Sequence, residues 1–123
     1  MTIVQAPAGD NFVSINKRAV EIVKSYAEAL RKKDVPVKLI ILFGSQARGT
    51  SVPGSDIDVL VVTERLDKKI RDTIVDEAFE ISMREDIPVI ALPCDIQEFD
   101  SPSFKVDPFY RNVTREGIIF HGQ

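Results

Sequence analysis

The stretch of residues 39–62 constrains the fold more than any other part of the chain. It holds two short apolar runs, LIILF before a polar loop and VLVV after it. Both runs are rich in isoleucine, valine and leucine and are bounded by turn residues, which is typical of buried β-strands. The loop opens at Gly44 and closes at Asp58. The sequence therefore predicts a strand–loop–strand unit with its polar residues gathered at one end.

Two carboxylates stand where the loop enters the second strand. Side chains alternate between the two faces of a strand, so Asp56 and Asp58 share one face while Ile57 and Val59 take the other. The Cα atoms of the two aspartates are expected about 7 Å apart from the strand rise. Carboxylate oxygens at this spacing can hold one or two hydrated Mg²⁺ ions. The pair is therefore a candidate metal site.

The turn before the loop has the features of a phosphate site. Gly44 lets backbone amides approach an anion closely, and the Ser45 hydroxyl adds a donor. Residues 45–48 can begin a short helix, whose N-terminus favours negative charge. Arg48 can either place its planar guanidinium on a phosphate or remain a solvated or ion-paired surface group. Phosphate and metal would then meet at the same end of the two strands.

A P-loop is the rival phosphate motif in this stretch. Gly44 and Gly49 have its spacing, and Ser51 falls where its serine or threonine belongs. The lysine position, however, is occupied by Thr50, and Pro53 interrupts the chain where a helix must begin. We therefore reject the P-loop interpretation.

The motif residues resemble those of a known family. The pattern joins a Gly-Ser turn, an Arg-Gly loop and a Ser-Asp-Ile-Asp strand entry, at Gly44-Ser45, Arg48-Gly49 and Ser55-Asp56-Ile57-Asp58. It is similar to the signature of the DNA polymerase beta-type nucleotidyltransferases, and most of all to the minimal nucleotidyltransferase (MNT) proteins of prokaryotes. The resemblance extends over the flanking helices, the third strand and the closing stretch of residues 110–118. It implies an α/β (α+β) fold, a mixed sheet with helices packed mainly on one face.

The resemblance also implies an activity. Such enzymes move a nucleoside monophosphate from a nucleoside triphosphate to a hydroxyl, with Mg²⁺ or Mn²⁺; here AMP from ATP is expected, with a protein or another molecule as acceptor. By position, Asp56 and Asp58 would be catalytic and metal-binding. The nucleotide-binding residues would be Gly44, Ser45, Arg48 and Ser55.

Partners follow from the same resemblance. MNT proteins are often paired with a helical HEPN-domain protein, and some silence this toxin as antitoxins by adenylylation. The chain has no room for an acceptor-binding domain, so we expect it to assemble with copies of itself or with another protein. The alternative is a catalytically weak or inactive module that binds a nucleotide or a partner.

A third carboxylate is missing from its expected position. In many small relatives it stands two residues after a proline in the next strand, and here Pro88 is followed by Ile90. Asp86, Asp95 and Glu98 are substitutes in principle, but sequence spacing places none of them beside the aspartate pair. Since that acid helps to bind the metal that activates the attacking hydroxyl, activity is expected to be weak.

Composition narrows the class of protein. With 123 residues, 44% hydrophobic and 28% charged, residues 14–123 are expected to form one globular domain, preceded by a loosely ordered arm over residues 1–13. The net charge of −3 and the pI near 5.2 argue against general nucleic-acid binding. Cys94 is the only cysteine, which excludes an intrachain disulfide. No signal peptide or apolar span is found, so we expect a cytoplasmic protein without membrane contact.

Apolar periodicity predicts the remaining elements. Helices are expected after Ser14, after Asp67, and from Asp107 to a C-cap at Gly117. Strands are expected over 37–43, 87–92 and 118–120, with a polar loop over 93–104 that contains a weak helix over 96–99. The second helix carries two apolar stripes, one of Ile70, Ile74, Ala78 and Ile81 and one of Val75, Phe79 and Met83. Two adjacent stripes suggest contact with more than one element or with a partner chain, and we favour the core of the domain for both.

Overall fold

The computed structural model of the protein describes residues 3–5, 17–44, 47 and 55–121. Its strands are β1 (Ile3–Gln5), β2 (Val37–Phe43), β3 (Ile57–Thr63), β4 (Val89–Asp95) and β5 (Ile118–His121). Its helices are α1 (Lys17–Lys32), α2 (Lys68–Glu85), α3 (Ile96–Phe99), α4 (Pro102–Lys105) and α5 (Pro108–Glu116).

The strands form one mixed sheet in the order β1-β5-β2-β3-β4. The β3–β4 pair is parallel and the other pairs are antiparallel. Parallel neighbours need a crossover connection, and α2 provides it between β3 and β4. The mixed sheet is therefore confirmed. Within the stretch predicted as an arm, Ile3–Gln5 pairs with β5 at one edge of the sheet. The remainder of that stretch lies outside the described residues.

The two long helices cover one face of the sheet. One apolar stripe of α1 is buried from Ala19 to Leu30, where it packs with α2 on the inward residues of β2, β3 and β5. The predicted cap at Ser14 lies outside the described residues. On the opposite face, the short helices α3 and α5 place Phe99 and Val113 over Leu60 and Val62. "Helices mainly on one face" is thus correct for the long helices, and shorter ones cover part of the other face.

The second stripe of α2 corrects a prediction. Asp67 caps the helix as expected, accepting a hydrogen bond from the Ile70 N–H at 2.8 Å. The stripe that begins at Ile70 is buried, but Val75, Phe79 and Met83 are 49%, 64% and 69% exposed. A helix resting on a sheet buries one stripe against it. The second stripe would need another neighbour, and α2 packs near β4, which is the edge strand.

The third strand and the loop after it also differ from prediction. The strand runs over Val89–Asp95 and includes Pro93, which an edge strand tolerates. The predicted loop therefore starts later. It contains α3 as expected, but also α4, whose N-cap Ser101 was missed although Pro102 follows it at the first helical position.

Gly117 is the C-cap of α5, as predicted. Glycine is needed there because of a close contact and not because of its backbone conformation. Its φ of −76° is open to any residue. An added Cβ would collide with the Val113 carbonyl oxygen and the Ile41 side chain. The glycine is therefore required by the close approach of α5 to β2. Asp107 caps the other end of the helix, accepting a hydrogen bond from the Phe109 N–H at 2.7 Å.

A buried tyrosine joins the two long helices. The Tyr26 hydroxyl donates a hydrogen bond to the Ile74 carbonyl at 2.7 Å. Burial of the Tyr26 side chain, and to a smaller extent the nearby charge of Glu77, raises the pKa of the phenol well above its usual value. Tyr26→Phe should lower the free energy of unfolding by about 1–1.5 kcal/mol, because one buried hydrogen bond is lost. Urea unfolding followed by circular dichroism measures this.

Tyr110→Phe is the matched control for that experiment. Tyr110 lies on the other face of the sheet and packs its ring against Phe99 and Phe104, so we expect a smaller change. Equal stability of Tyr26→Phe and the natural protein would show that the hydrogen bond does not stabilise the fold.

Candidate active site

The turn after β2 lies against a carboxylate of β3. Phe43 and Asp58 are the last pair of the β2–β3 ladder, so Gly44 leaves the sheet beside Asp58. Gly44 has a φ of +76°, and an added Cβ would stand 2.7 Å from Asp58 Oδ2. Both the left-handed conformation and the close approach require glycine. The structure thus brings together two residues that are fourteen positions apart in the sequence and that the motif predicts to cooperate.

The two aspartates lie on the same face of the sheet. Ile57 and Val59 are fully buried in the core under α1 and α2, and alternation along β3 turns Asp56 and Asp58 to the opposite face. Asp56 precedes the strand and is exposed, Asp58 is half-buried, and Ser55 before them is also half-buried. Two acidic side chains therefore point to the face that carries the short helices.

Strand β4 places an aliphatic side chain next to Asp58. The Ile57 N–H donates to the Pro88 carbonyl at 2.8 Å, and in the resulting register Asp58 lies opposite Ile90. Paired residues of neighbouring strands share a face about 4.8 Å apart. Ile90, 44% exposed, thus occupies the position beside the aspartate pair where the resemblance implies an acid.

The three substitute acids lie at different ends of β4. Asp95 pairs with Thr63, five residues beyond Asp58 and therefore about 17 Å away by strand rise. Glu98 follows in α3. Asp86 is the C-cap of α2 and comes before β4, at the end where Asp56 lies. Among the residues that the structure describes, no group of three or more His, Cys, Asp or Glu side chains could hold a metal ion.

The rest of the predicted phosphate site is only partly described. Ser45 and Arg48 lie outside the described residues, so their nucleotide contacts remain predictions. Between them Ala47 is fully buried and belongs to the core under α1 and α2. Sequence reasoning missed this anchor. Its only signal is a small apolar residue inside an otherwise polar segment.

An aromatic pair borders the site on the side of β2. Phe43 and Phe109 meet edge to face, with ring centroids 5.3 Å apart and planes at 89°. Phe109, in the first turn of α5, is partly exposed. The apolar surface next to Gly44 was not expected from the sequence.

The single cysteine has no place in this chemistry. Cys94 is buried on β4, and burial, with smaller contributions from Glu98 and Asp95, raises the pKa of its thiol to about 11. The thiol is therefore protonated at neutral pH and is a poor nucleophile.

In the described ranges, no helix is long and apolar enough to cross a membrane.

Comparisons with known proteins agree with this geometry. The model of the nucleotidyltransferase domain family matches residues 23–120. A protein of Methanocaldococcus jannaschii named as an inferred protein adenylyltransferase, MJ0604, is 32% identical over 101 residues, which cover 80% of this chain and 94% of the relative. A second protein of that organism with the same description, MJ1305, is 36% identical over 64 residues, which cover 46% of this chain and 43% of the relative.

Among solved structures, the fold is similar to that in crystal structures of the toxin–antitoxin pair MntA–HpeT. In one mutant of that pair the TM-score is 0.56 at 24% identity, over 82% of this chain and 72% of the matched chain. A second mutant gives the same TM-score and identity, over 85% and 73%. This likeness supports the polymerase beta-like fold. The family match over residues 23–120 and the relative MJ0604 show that the chain belongs to the nucleotidyltransferase domain family and is an enzyme of that class.

Proposed function

We propose that the protein transfers AMP from ATP to a hydroxyl group of a protein and releases pyrophosphate. One observation carries this proposal: Gly44, at a φ of +76°, is packed against Asp58, with Asp56 on the same face. A turn that admits phosphate next to a carboxylate pair that admits a metal ion is the arrangement that nucleotidyl transfer needs. The names of the two M. jannaschii relatives support a protein as acceptor.

The donor set suits a divalent metal shared with the substrate. Two carboxylates two residues apart provide too few ligands for an all-protein metal cage, but Mg²⁺ usually combines one or two carboxylates with substrate phosphates. We therefore assign Asp56 and Asp58 to Mg²⁺, or Mn²⁺, and to catalysis. When bound, the metal would supply the positive charge that stabilises the transferred phosphoryl group.

The residues of the turn would hold the triphosphate. Gly44 exposes backbone amides to the β and γ phosphates, and Ser45 donates a hydrogen bond to them. Arg48 and Ser55 complete the proposed nucleotide site. The acceptor oxygen forms a bond to the α-phosphorus, the bond from that phosphorus to the pyrophosphate oxygen breaks, and the acceptor hydroxyl loses its proton. Asp58 faces this centre from β3.

The partner is the second part of the proposal. The similar solved structures are those of a toxin–antitoxin pair, and the acceptor of this chain is proposed to be a helical HEPN-domain protein. In this role the chain would act in the cytoplasm as the antitoxin that modifies its toxin, either as a complex with that partner or together with further copies of itself.

A second function is favoured by one specific observation. Ile90 lies opposite Asp58 where a third carboxylate is expected, and no metal-binding group of three acids is found in the described part of the chain. These facts favour a protein that binds nucleotide or a partner with little or no catalysis.

Labelled ATP separates the two functions. The protein is incubated with Mg²⁺ and ATP labelled at the α-phosphate, with and without the protein encoded by the adjacent gene. If AMP is transferred, a protein band should be labelled with ATP that carries the label at the α-phosphate. No band should be labelled from the γ-phosphate, because that phosphate leaves in pyrophosphate. Label from the γ-phosphate would instead indicate a kinase contaminant, and no label from either would favour the binding module.

Asp58→Asn should abolish metal-dependent ATP binding, because it removes one of two proposed metal ligands at the phosphate-binding end. Calorimetry with ATP and Mg²⁺ measures the loss. Asp95→Asn is the matched control, since Asp95 pairs with Thr63 at the other end of the β3–β4 ladder, on the opposite face of the sheet. Unchanged binding in Asp58→Asn, or equal loss in both variants, would contradict the assignment.

Ile90→Asp should raise the rate of Mg²⁺-dependent transfer, because it restores an acid beside Asp58. One catalytic group that manages a proton or a metal is worth about 10²- to 10⁴-fold in rate, so even part of that gain is measurable with α-labelled ATP. Leu92→Asp is the control. Leu92 is also exposed, at 40%, but it lies opposite Leu60, two residues further along the strands from the Asp58–Ile90 pair.

The outcomes of the Ile90 experiment are distinct. No gain in a folded Ile90→Asp variant would show that the site lacks more than one carboxylate. Rapid transfer by the natural protein that disappears in Asp86→Asn would identify Asp86 as the third acid.

A further inference from the structure

An apolar groove runs between α2 and the edge strand β4. Its volume is about 510 Å³, and its walls include Val75, Phe79 and Met83 from the helix and Ile87 and Ile90 from the strand side. The three helix residues, which we call the α2 stripe, stand at intervals of four and are each about half exposed or more. Single exposed apolar residues are ordinary, but a contiguous row along a groove marks an interaction surface.

The edge of β4 is closed to an added strand. Because the Ile57 N–H donates to Pro88, residues 88, 90 and 92 turn their backbone groups toward β3, and residues 89, 91 and 93 turn theirs outward. The Val89 N–H donates to Ser82 Oγ at 2.8 Å, and Pro93 has no N–H. Asp95 is the fourth outward position of the strand, so at two of the four positions no N–H is free for a ladder with another chain. A regular ladder is thus interrupted, and we expect a partner to bind through side chains.

The shape of the groove suits an α-helix. The α2 stripe runs from Val75 to Met83, nine residues whose eight steps of helix rise make about 12 Å along the axis, roughly the length of two turns of a partner helix. Helices bind such grooves through apolar residues at intervals of three and four. A partner helix would lie on Phe79 and Met83 and against the outer side of β4.

Charge decides which helix fits. Asp76 and Glu80 follow directly on Val75 and Phe79 along α2, and Asp86 stands at the C-terminal end of the groove; all three are exposed. Arg84 follows Met83 in the same row and is also exposed, but it forms an ion pair with Glu85. The rim of the groove therefore has an excess of acidic groups. In a symmetric dimer this rim would meet the same rim of the other copy, and its excess of acidic groups argues against a second copy as occupant.

We propose that the groove binds an amphipathic α-helix of another protein, with its apolar side on the α2 stripe and lysine or arginine residues facing Asp76 and Glu80. Ile90 lines the groove and is the neighbour of Asp58 in the sheet. A protein docked there is held beside the candidate active site. The docking itself does not depend on the proposed transfer reaction.

Synthetic peptides test the proposal. Three peptides share one leucine-rich helical face: the first has lysine on its flanks, the second glutamate, and the third has lysine and a central proline that breaks the helix. Fluorescence anisotropy measures their affinity for the natural protein. We expect the lysine peptide to bind at least about tenfold more tightly than either of the others, because both charge and helix are required.

Variants of the protein locate the binding. Phe79→Glu and Met83→Asp should each weaken the lysine peptide by about tenfold or more, as loss of an apolar anchor does. Val106→Glu is the matched control, because Val106 is as exposed as Met83 but lies between α4 and α5. Since the substituted side chains are exposed, circular dichroism should show intact folding. Binding should persist in Asp58→Asn, so that a failure of docking and a failure of transfer are distinguished.

Three results would overturn the proposal. The first is equal affinity of the natural protein and both groove variants for the lysine peptide. The second is equal binding of the proline peptide. The third is a dimer of the natural protein in sedimentation that Phe79→Glu converts to a monomer, since the occupant would then be a second copy.

Discussion

The structure depends on the antiparallel pairing of β2 with β3. Both strands are covered on both faces, so their register is fixed by two cores at once. A slip of one residue would move Asp58 into the core under α1 and α2 and would expose the apolar residues beside it. The same register ends at Phe43 and Asp58 and so brings the turn at Gly44 against the carboxylate. Core packing and the position of the site are therefore one constraint.

The two sides of the site differ in character. Toward the turn lie groups suited to phosphate and metal, whereas toward β4 the neighbour of Asp58 is Ile90 and the surface continues into the groove along α2. An apolar surface next to a charged centre suits the approach of a protein better than that of a free sugar or nucleotide. Under the proposed function, this surface would hold the acceptor protein at the edge of the sheet.

Much of the fold could be predicted from local signals. Short apolar runs bounded by turn residues identified β2 and β3, and helical periodicity identified α1. Asp67 and Asp107 act as caps because each accepts a hydrogen bond from a backbone N–H nearby in sequence. The α2 stripe was placed wrongly because periodicity shows that a face is apolar without showing whether another element covers it. The helix α4 was missed for a related reason, since one turn of helix carries too little periodicity to stand out from a polar loop.

For the site, the sequence by itself determined that two aspartates share a strand face near a glycine turn, because alternation and turn chemistry are local properties of the chain. Only the tertiary structure decided which residue stands beside them. The β3–β4 register joins positions 58 and 90, and it depends on how α2 returns the chain to the sheet and on the hydrogen bond from Ile57 to Pro88. Contacts between residues so distant in sequence arise from packing, which no local pattern encodes.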